Sequence, residues 1–501
     1  MKTAGFGRRK FLTTSAAMAG TAIAGTALLS ALGDSALATS ARAAAGGIDL
    51  DGLGKAMSGR LLRPGDAGYD FASTTWNLAL PSRRPAAIAM VADREDVIEC
   101  VRRAGGRGTP LAARSGGHSY AGFSTPDSGV VVDVSELNKI TVRDDGTVVV
   151  GAGAQLMQVY SALAARGRAL PGGTCATVGI AGLTLGGGIG PLTRPYGLTC
   201  DRLKAATVVG ADGSVFKADS RGDADLFWAL RGGGGGHAGI VTEFTFSTVP
   251  APNPVVFKLE FPASHTAKVL AAWSAWQHSA PKELTSTCAI GSGKEASNSI
   301  EGTWVGKAAA AKTHLDALVA EVGVAPATRV TQQKSYLDTV LHFAPCKEVS
   351  TCYADTKPGG TVPREAFHAA SRMLPRVLKT ADADRVVEIM TGFDDMVLLF
   401  DAVGGEVDAI GGRDTAYAHR GVRASVQIYG WSETDKGEIV TQAQQALTRV
   451  LSGRSYVNYV NPLQTDWATS YWGANQAKLR RIVSAYDPGK VFDFPHSVLR
   501  G

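Results

Sequence analysis

The sequence predicts an α+β protein of several domains, in which a glycine-rich region of strands and helices is joined to an antiparallel sheet covered by helices. The chain has 501 residues, 45% of them hydrophobic and 19% charged, which is enough for a large core and two or three domains. Strands and helices alternate between residues 87 and 246. After residue 250 the pattern changes to alternating strands mixed with helices.

The first region is a regular succession of strands, helices and turns. Strands are predicted at residues 87–91, 110–114, 129–133, 147–150, 205–209, 215–218 and 239–246. Asp93 caps a helix with acidic residues in its first turn. Further helices run through Tyr160 and Leu163 and over residues 225–230, and residues 211–214 form a hairpin turn. The intervals indicate an α/β domain.

A glycine motif at residues 151–156, G-A-G-A-Q-L, does not meet the requirements of a dinucleotide-binding turn. Leu156 occupies the position of the third glycine. No acidic residue closes a following strand at the expected distance. A nicotinamide dinucleotide site is therefore disfavoured here.

The second region, from residue 250 to 452, combines strands and helices in a different way. Strands are predicted at residues 255–261, 288–290, 299–305 and 425–429, and helices at residues 267–277, 308–322 and 364–378. This pattern indicates a sheet with helices on one face, which we interpret as the substrate domain. Trp273 and Trp276 share one helix face, and core packing is favoured over a sugar platform.

The N-terminus has the layout of an export signal. G-R-R-K-F-L at residues 7–12 precedes a mildly apolar stretch at 16–32 and small-residue cleavage patterns between 36 and 45. The arginine pair is typical of the twin-arginine type. A membrane anchor is the alternative, but the stretch is weak for a span of about 20 apolar residues. We expect residues 1–45 to be removed, giving an extracytoplasmic protein with no membrane span in the mature chain.

The charge of the mature chain argues against a nucleic-acid partner. The formal net charge is +6, but residues 1–45 contain five basic residues and one acidic residue, so the remainder carries only +2. No basic stripe with interleaved aromatic residues is present in the sequence. A small molecule is the expected partner.

Two glycine loops each contain one reactive side chain. Residues 114–120 read R-S-G-G-H-S-Y and place His118 among glycines. Residues 172–190 do the same for Cys175. Glycine lets a ligand approach the backbone amides closely, and successive amides suit phosphate. The two side chains could hold a cofactor ring from two sides. Taken alone, His118 would ordinarily be interpreted as a loop histidine bonded to backbone, and Cys175 as a small buried apolar residue.

The six cysteines leave one disulfide to expect. An exported protein can form disulfides. If Cys175 carries a cofactor, five cysteines remain and at least one is unpaired. Cys346 and Cys352 are the nearest pair in sequence. No spacing of cysteine and histidine indicates zinc, and no metal is expected.

Five motifs in order make the chain resemble the berberine bridge enzyme-like flavin oxidases of the vanillyl-alcohol oxidase superfamily. They are R-S-G-G-H-S-Y at 114–120, the loop from 172 to 190, D-L-F-W-A-L-R-G-G-G-G from 225, Y-V-N-Y at 456–459 and Y-D-P-G-K-V-F at 486–492. The resemblance implies a two-part PCMH-type FAD-binding domain. Its parts are residues 46–250 and the returning segment 451–501, with residues 251–450 inserted as the substrate domain.

The resemblance also implies which residues hold the cofactor. FAD would be attached twice, through His118 to the 8α-methyl group and through Cys175 to C6 of the flavin ring. Two such links should raise the flavin's reduction potential. The remaining residues expected to bind FAD are Arg114, Ser115, Gly116, Gly117, Ser119, Tyr120, Gly179, Gly182, Gly186, Gly187, Gly188, Val241, Tyr456 and Asn458.

Catalytic roles follow from the same resemblance. Tyr459 stands where many relatives carry the base; its ordinary pKa of about 10 would have to be lowered by a cation or by hydrogen-bond donors. Packing on the ring is its alternative role. Gln427 would point at the substrate or else face solvent. His419 is expected to support the site. Val178 stands at a position associated with oxygen access.

These residues predict an oxidase that takes hydride from a hydroxyl- or amine-bearing small molecule, an oligosaccharide or a secondary metabolite, and gives the electrons to O2. The rivals are a dehydrogenase with another acceptor and an exported binding protein without turnover. The chain departs from the family pattern at His237, at Asn461 and around Asp401. These departures leave the FAD assignment intact and the active-site chemistry open.

Overall fold

The computed structural model describes residues 48–104, 108–293, 296–354, 360–431 and 437–501. The predicted export signal, residues 1–45, lies outside them. Over the ranges described, none of the helices is both long enough and apolar enough to cross a membrane.

The described residues form helices and strands that alternate along the chain. The helices are α1 Leu50–Ala56, α2 Tyr69–Ser73, α3 Arg94–Ala104, α4 Leu156–Ala164, α5 Ile180–Gly186, α6 Thr193–Tyr196, α7 Ala224–Ala229, α8 Thr266–Ser279, α9 Ala308–Val322, α10 Tyr336–Phe343, α11 Thr380–Thr391, α12 Gly437–Leu447, α13 Trp467–Trp472 and α14 Gln476–Tyr486. The strands are β1 Arg60–Leu62, β2 Ala87–Met90, β3 Leu111–Arg114, β4 Val130–Asp133, β5 Ile140–Val142, β6 Thr147–Gly151, β7 Arg168–Ala169, β8 Leu203–Val209, β9 Val215–Asp219, β10 Ile240–Ser247, β11 Val249–Pro250, β12 Val255–Glu260, β13 Leu284–Gly291, β14 Asn298–Trp304, β15 Thr328–Gln333, β16 Phe367–Leu374, β17 Met396–Ala402 and β18 Ala424–Trp431.

The first region contains two sheets and confirms the predicted succession of elements. Strands β1-β2-β4-β3 form one sheet, with β2, β4 and β3 parallel, and β5-β6-β10-β8-β9 form an antiparallel sheet. The hairpin between β8 and β9 turns at Gly213, whose φ of +79° is a conformation that glycine adopts without strain. Asp93 begins α3 as predicted, since its carboxylate accepts from the amide of Asp96 at 2.9 Å.

The C-terminal segment packs into the core of this first region. Trp472 of α13, Ile482 of α14 and Val498 near the C-terminus are buried in the cluster that contains Val132 and Phe244. Their burial removes apolar surface from water on both segments at once. The segment that carries Tyr456–Tyr459 is thereby held beside the glycine loops.

The second region is a seven-stranded antiparallel sheet in the order β15-β12-β14-β13-β17-β18-β16. Side chains alternate between its faces with a period of two. One face carries residues such as Phe257, Leu398 and Ile428, and α8, α9, α11 and α12 cover it with apolar residues. The predicted helix-covered sheet is confirmed. Trp273 is buried in this core and donates to the hydroxyl of Ser286 at 2.9 Å, so its predicted core role is confirmed as well.

The predicted helix at residues 364–378 is wrong, because these residues contain strand β16. Its helix-forming alanine, arginine and leucine residues favour a helix locally. Instead, β16 pairs with β18 along its whole length, from Phe367 opposite Trp431 to Leu374 opposite Ala424. Eight paired residues at the edge of a buried sheet outweigh a weak local preference.

The expected disulfide between Cys346 and Cys352 is present. It closes a loop whose buried residues pack against Ala176, the neighbour of Cys175, and against Trp76. The other four cysteines are unbridged. The disulfide therefore braces the back of the second glycine loop.

Candidate active site

A cavity of about 620 Å³ lies between the two glycine loops and the open face of the seven-stranded sheet. Its volume is within the range of sites for small ligands and cofactors. Both His118 and Cys175 line it, as do Gln427 and Tyr459. The structure thus brings the four principal predicted residues together around one space.

The two glycine loops interlock at a pair of glycines. A Cβ on Gly116 would overlap the backbone nitrogen of Gly179, and one on Gly179 would overlap the hydroxyl of Ser115. Ser115 is fixed in turn, since its hydroxyl donates to the carbonyl of Ala152 at 2.7 Å. Only glycine permits this approach, so the loops form one rigid wall of the cavity.

His118 is held by its edge and by its face. Its Nε2 lies 2.9 Å from the hydroxyl of Thr177 in the second loop. The indole of Trp76 stacks on the imidazole with 4.0 Å between ring centroids and 20° between planes. The ring therefore has one orientation at the cavity wall. Cys175 is partly exposed on the same wall.

Most of the residues expected to bind FAD line the cavity. These are Ser115, Gly116, Gly117, Ser119, Tyr120, Gly179, Gly182, Val241, Tyr456 and Asn458, together with Val178. A Cβ on Gly182 would meet no atom within 4 Å. The glycine run at residues 234–236 lines the same cavity. Backbone amides rather than side chains make up much of this wall, as phosphate recognition requires.

Arg114 lies behind the first glycine loop, although it was expected to bind the cofactor. It is 6% exposed and does not line the cavity. Its Nε donates to the carboxylate of Asp133 at 2.8 Å, and Asp133 ends the neighbouring strand β4. A buried charge must be paired, and this pair joins the two parallel strands. The residue therefore holds the start of the first loop against strand β4.

Gly186, Gly187 and Gly188 were also predicted to contact the cofactor, but they lie behind the wall. A Cβ on Gly186 would overlap the Asn458 side chain, and one on Gly187 would lie 2.9 Å from the hydroxyl of Tyr456. That hydroxyl accepts from the amide of Gly188 at 2.7 Å. These glycines let the segment with Tyr456 and Asn458 approach α5, which is a packing role.

The opposite wall of the cavity consists of polar side chains from the sheet. Thr285, Thr287, Glu301, Asp401 and Gln427 all line it. The register places Glu301 opposite Thr287 and Thr287 opposite Asp401, so the three side chains share one face. This face is the one that the four helices leave uncovered.

Hydrogen bonds fix the side chains of this wall. Asp401 accepts from Thr287 at 2.9 Å and from the amide of Gln427 at 2.5 Å. The carbonyl oxygen of Gln427 accepts from the hydroxyl of Tyr429 at 2.6 Å, and Tyr429 is hydrogen-bonded to Tyr120. Gln427 is 4% exposed, so it does not face solvent. The network connects the sheet wall of the cavity to the first glycine loop.

Glu301 has a separate partner. Its carboxylate lies 2.8 Å from Nε2 of His342, which stands near the end of α10. Strands β14 and β17 are two interstrand spacings apart, about 10 Å, because neighbouring strands lie about 4.8 Å apart. Two carboxylates, Glu301 and Asp401, therefore mark two separate positions along the same wall.

Tyr459 lies among aromatic rings and beside a carboxylate. Tyr120 stacks on it with 5.7 Å between centroids, and Tyr456 meets it edge-on at 4.8 Å. Burial, and then the charge of Asp401, raises the pKa of the Tyr459 hydroxyl well above its ordinary value. The expected lowering of this pKa is wrong for the protein alone. Arg454, the nearest cation in sequence, is exposed.

Three further residues considered from the sequence are structural or peripheral. His419 is buried, donates through Nε2 to the carbonyl of Ser455 at 2.7 Å, and does not line the cavity. Asn461 is buried and donates to Gln444 and Thr441. His237 lines the cavity beside Phe494, and burial lowers its pKa to about 4.

The supporting residues Trp76, Thr287, Glu301 and Asp401 were not predicted from the sequence as part of the site. Two of them carried a local signal. Asp401 is the only charged residue in the apolar run M-V-L-L-F-D-A, and Glu301 stands in N-S-I-E-G-T-W. A lone carboxylate in a buried strand is costly unless it has a function or a partner. Trp76 and Thr287 gave no comparable signal.

Comparisons with known proteins identify the same segments. A family model described as "FAD binding domain" matches residues 85–219, and one described as "Berberine and berberine like" matches residues 455–499. An FAD-linked oxidoreductase of Bacillus subtilis is 31% identical over 459 residues, 88% of this chain and 97% of the relative. The glucooligosaccharide oxidase of Sarocladium strictum is 30% identical over 481 residues, 85% of this chain and 89% of the relative.

Solved structures agree in fold over nearly the whole chain. The berberine bridge enzyme-like protein 1 of Physcomitrella patens has a TM-score of 0.82 at 26% identity, over 90% of this chain and 98% of its own. A glucooligosaccharide oxidase from Acremonium strictum, described as carrying a 6-S-cysteinyl, 8α-N1-histidyl FAD, has a TM-score of 0.80 at 27% identity, over 90% and 98%.

Fold and cavity are those of flavoproteins with a PCMH-type FAD-binding domain. The chain belongs to the berberine bridge enzyme-like family of FAD-linked oxidoreductases. It is an FAD-dependent oxidoreductase. The cavity fits the cofactor, because one wall is backbone amide and glycine and carries an imidazole and a thiol at its surface.

Proposed function

We propose that the protein is an exported oxidase that carries FAD attached through both His118 and Cys175 and oxidises a hydroxyl group of an oligosaccharide, with O2 reduced to hydrogen peroxide. One observation carries the choice of substrate. The wall that faces the glycine loops is made of Thr285, Thr287, Glu301, Asp401 and Gln427. Such donors and acceptors match a hydroxyl-rich ligand better than an apolar alkaloid.

Double attachment is supported by the position of both side chains on one wall. His118 and Cys175 line the same cavity from interlocked loops. A similar structure is a glucooligosaccharide oxidase described with a cysteinyl and histidyl FAD. Two links would fix the flavin and leave its substrate side open toward the sheet.

The residues around Tyr459 support a proton transfer from the substrate hydroxyl. Bound FAD would supply the acceptor for the hydride that leaves the adjacent carbon. Because the pKa of Tyr459 is raised, its hydroxyl is protonated at neutral pH and must give up its own proton as it accepts another. Asp401 is the neighbouring acceptor, and the two hydrogen bonds from Thr287 and Gln427 orient its carboxylate.

Oxygen as the acceptor is supported by Val178, which lines the cavity three residues after Cys175. Named oxidases among the relatives point the same way. The rival is a dehydrogenase that passes its electrons to another acceptor. It would reduce its flavin with the same substrates but release no peroxide in air.

The test is a comparison of flavin reduction and peroxide formation. Without air, the purified protein should be bleached by neutral oligosaccharides of glucose, xylose or N-acetylglucosamine; in air it should release one peroxide per oxidised hydroxyl. Bleaching without peroxide would establish the dehydrogenase. Bleaching only by secondary-metabolite alcohols or amines would replace the substrate class. No bleaching by any of these would refute the proposed substrate class.

Covalent attachment and export have their own tests. Denatured protein should retain its flavin on peptides containing His118 and Cys175; flavin that stays entirely in the supernatant would refute attachment. Replacing Arg8 and Arg9 by lysine should retain the protein inside the cell if the export signal is of the twin-arginine type. Unchanged export of that variant would refute the assignment.

A further inference from the structure

We propose that Thr177 is a positioning residue that selects Nδ1 of His118 as the atom for flavin attachment. The inference rests on the proposed attachment of FAD to His118 and goes beyond it. Thr177 lies on the loop that carries Cys175 and contacts His118, so the two attachment sites are coupled through this side chain.

The observation is a hydrogen bond to one particular ring nitrogen. Nε2 of His118 lies 2.9 Å from the hydroxyl oxygen of Thr177. Thr177 is 2% exposed, so this hydroxyl does not exchange its partner for bulk water. In a neutral imidazole one nitrogen carries the proton, and the hydrogen bond that one nitrogen makes decides the state of the other. We assign Nε2–H as the donor and the Thr177 hydroxyl oxygen as the acceptor of this contact, which places the lone pair on Nδ1.

Trp76 supplies the second constraint. Its indole stacks on the imidazole at 4.0 Å between centroids. A stacked ring prevents the imidazole from tipping about its bond to Cβ, and the edge-on hydrogen bond prevents a flip of the ring. Together they leave Nδ1 with one direction of attack. Orientation of this kind is a large part of the rate of an intramolecular reaction.

Thr177 is itself held in place by the loop that carries Cys175. The amide of Val178 donates to the carbonyl of Cys175 at 3.2 Å, which closes a tight turn around Thr177. On either side of Thr177, the carbonyls of Ala176 and Val178 accept from the first residues of α4, Met157 at 3.0 Å and Leu156 at 2.9 Å. The Thr177 hydroxyl that contacts His118 is therefore fixed relative to the Cys175 thiol, which would bind C6 of the flavin ring.

The attachment balances with molecular oxygen as the oxidant. The 8α-methyl group loses one proton and one C–H bond, and the Nδ1–C bond forms. The two electrons of that C–H bond remain in the flavin ring, which leaves it reduced by two electrons. O2 takes these two electrons as hydrogen peroxide together with two protons, one released by the 8α-methyl group and one released by Nε2 once the Nδ1–C bond has formed, and the attached flavin is oxidised again. Thr177 takes part only by keeping the Nε2 proton in place until the bond has formed.

The test compares three full-length proteins produced with FAD: the wild type, Thr177→Val and Thr177→Ser. Valine has nearly the shape of threonine but cannot hydrogen-bond, whereas serine keeps the hydroxyl. The readout is the share of flavin found on the His118 peptide and on the Cys175 peptide after denaturation and digestion. We expect histidyl attachment in Thr177→Val to be roughly 10- to 100-fold slower, the scale of a small misplacement of reacting atoms.

The cysteinyl share is the internal control. If Thr177 only supported the loop, Thr177→Val would disturb Cys175, two residues away, and both shares would fall. The inference requires that the histidyl share fall alone and that Thr177→Ser restore it. Equal histidyl shares in all three proteins would overturn the inference and leave double attachment intact. A wild type without histidyl flavin would instead refute the proposed attachment itself.

A second pair of variants covers the case in which Thr177→Val does not fold. Trp76→Phe keeps a stacked ring and should preserve histidyl attachment, while Trp76→Leu removes the ring and should reduce it. If Trp76→Leu shows the wild-type histidyl share, the imidazole does not need to be held by its surroundings, and the inference fails.

Discussion

The two walls of the cavity are built by different means. The wall of the glycine loops consists of backbone brought close by Gly116 and Gly179, and its reactive atoms lie on two short segments. The wall of the sheet consists of side chains from four strands, ordered by register and hydrogen bonds. One wall therefore depends on the absence of side chains and the other on their presence. Adding a side chain should therefore disrupt the wall of the glycine loops, whereas removing one should disrupt the wall of the sheet.

The largest effect is expected from the residue that faces both walls. Tyr459→Phe removes the hydroxyl that is proposed to move the substrate proton, and should slow flavin reduction by about 10²- to 10⁴-fold. The flavin content and its attachment should stay unchanged, since the ring still stacks on Tyr120. Anaerobic stopped-flow absorbance measures the reduction. A rate within twofold of the wild type would show that proton transfer does not involve this wall.

Acid should weaken the cofactor side more than the substrate side. Burial lowers the pKa of His237, His419 and His496 to about 4, against 6.5 in the unfolded chain. The unfolded state then binds more protons, so stability is full above pH 6.5 and falls as the pH drops toward 4. We expect a loss of at least about 1 kcal/mol per imidazole, ~3 kcal/mol in all.

Urea unfolding at pH 7 and at pH 4.5 measures this loss. The variant His237→Gln, which cannot be protonated, should lose less stability on acidification than the wild type does. Equal losses in the two proteins would show that another group is responsible for the acid sensitivity.

Two glycine substitutions sharpen the contrast within the cofactor wall. Gly116→Ala places a Cβ on the backbone of Gly179, whereas Gly182→Ala places one where no atom lies within 4 Å. The first should lower the free energy of unfolding by about 2 kcal/mol and reduce flavin attachment. The second should leave stability unchanged or raise it slightly, because alanine is the better helix former. Thermal unfolding of both variants distinguishes the packed glycine from the open one.

The smallest effect is expected on the substrate wall. Thr287→Val removes a hydrogen bond that orients the Asp401 carboxylate. A net hydrogen bond is worth about 1 kcal/mol, so flavin reduction should slow by about fivefold and the free energy of unfolding should fall by no more than about 1 kcal/mol, with the flavin content unchanged. Thr287→Ser is the matched control and should behave like the wild type. A loss of flavin in Thr287→Val would show that the two walls are not independent.

The same difference explains which parts of the site could be predicted from sequence. His118 and Cys175 stand in contiguous motifs whose residues act together where they lie in the chain. Asp401, Glu301 and Thr287 meet only because three strands pair in one register. No local pattern contains that register. The mistaken helix at 364–378 has the same origin, since the pairing of β16 with β18 is a contact between distant segments.

Membership of a motif also did not distinguish the residues that line the cavity from those that support its wall. Arg114 and Gly186–Gly188 belong to the same motifs as the residues that line the cavity, yet they pair with Asp133 or admit Tyr456 and Asn458. A residue that holds a loop is as constrained as one that touches a ligand. The packing of distant segments decides on which side of the wall each residue lies.

The period-two alternation of the seven-stranded sheet has a consequence for how such enzymes diversify. Neighbouring residues on one strand, such as Ser286 and Thr287 or Phe400 and Asp401, point to opposite faces. Evolution or a designer can exchange the cavity-facing positions one by one, while the positions between them maintain the core under the four helices. Substitutions at the cavity-facing positions of a strand can therefore change the substrate, while the residues between them preserve the fold.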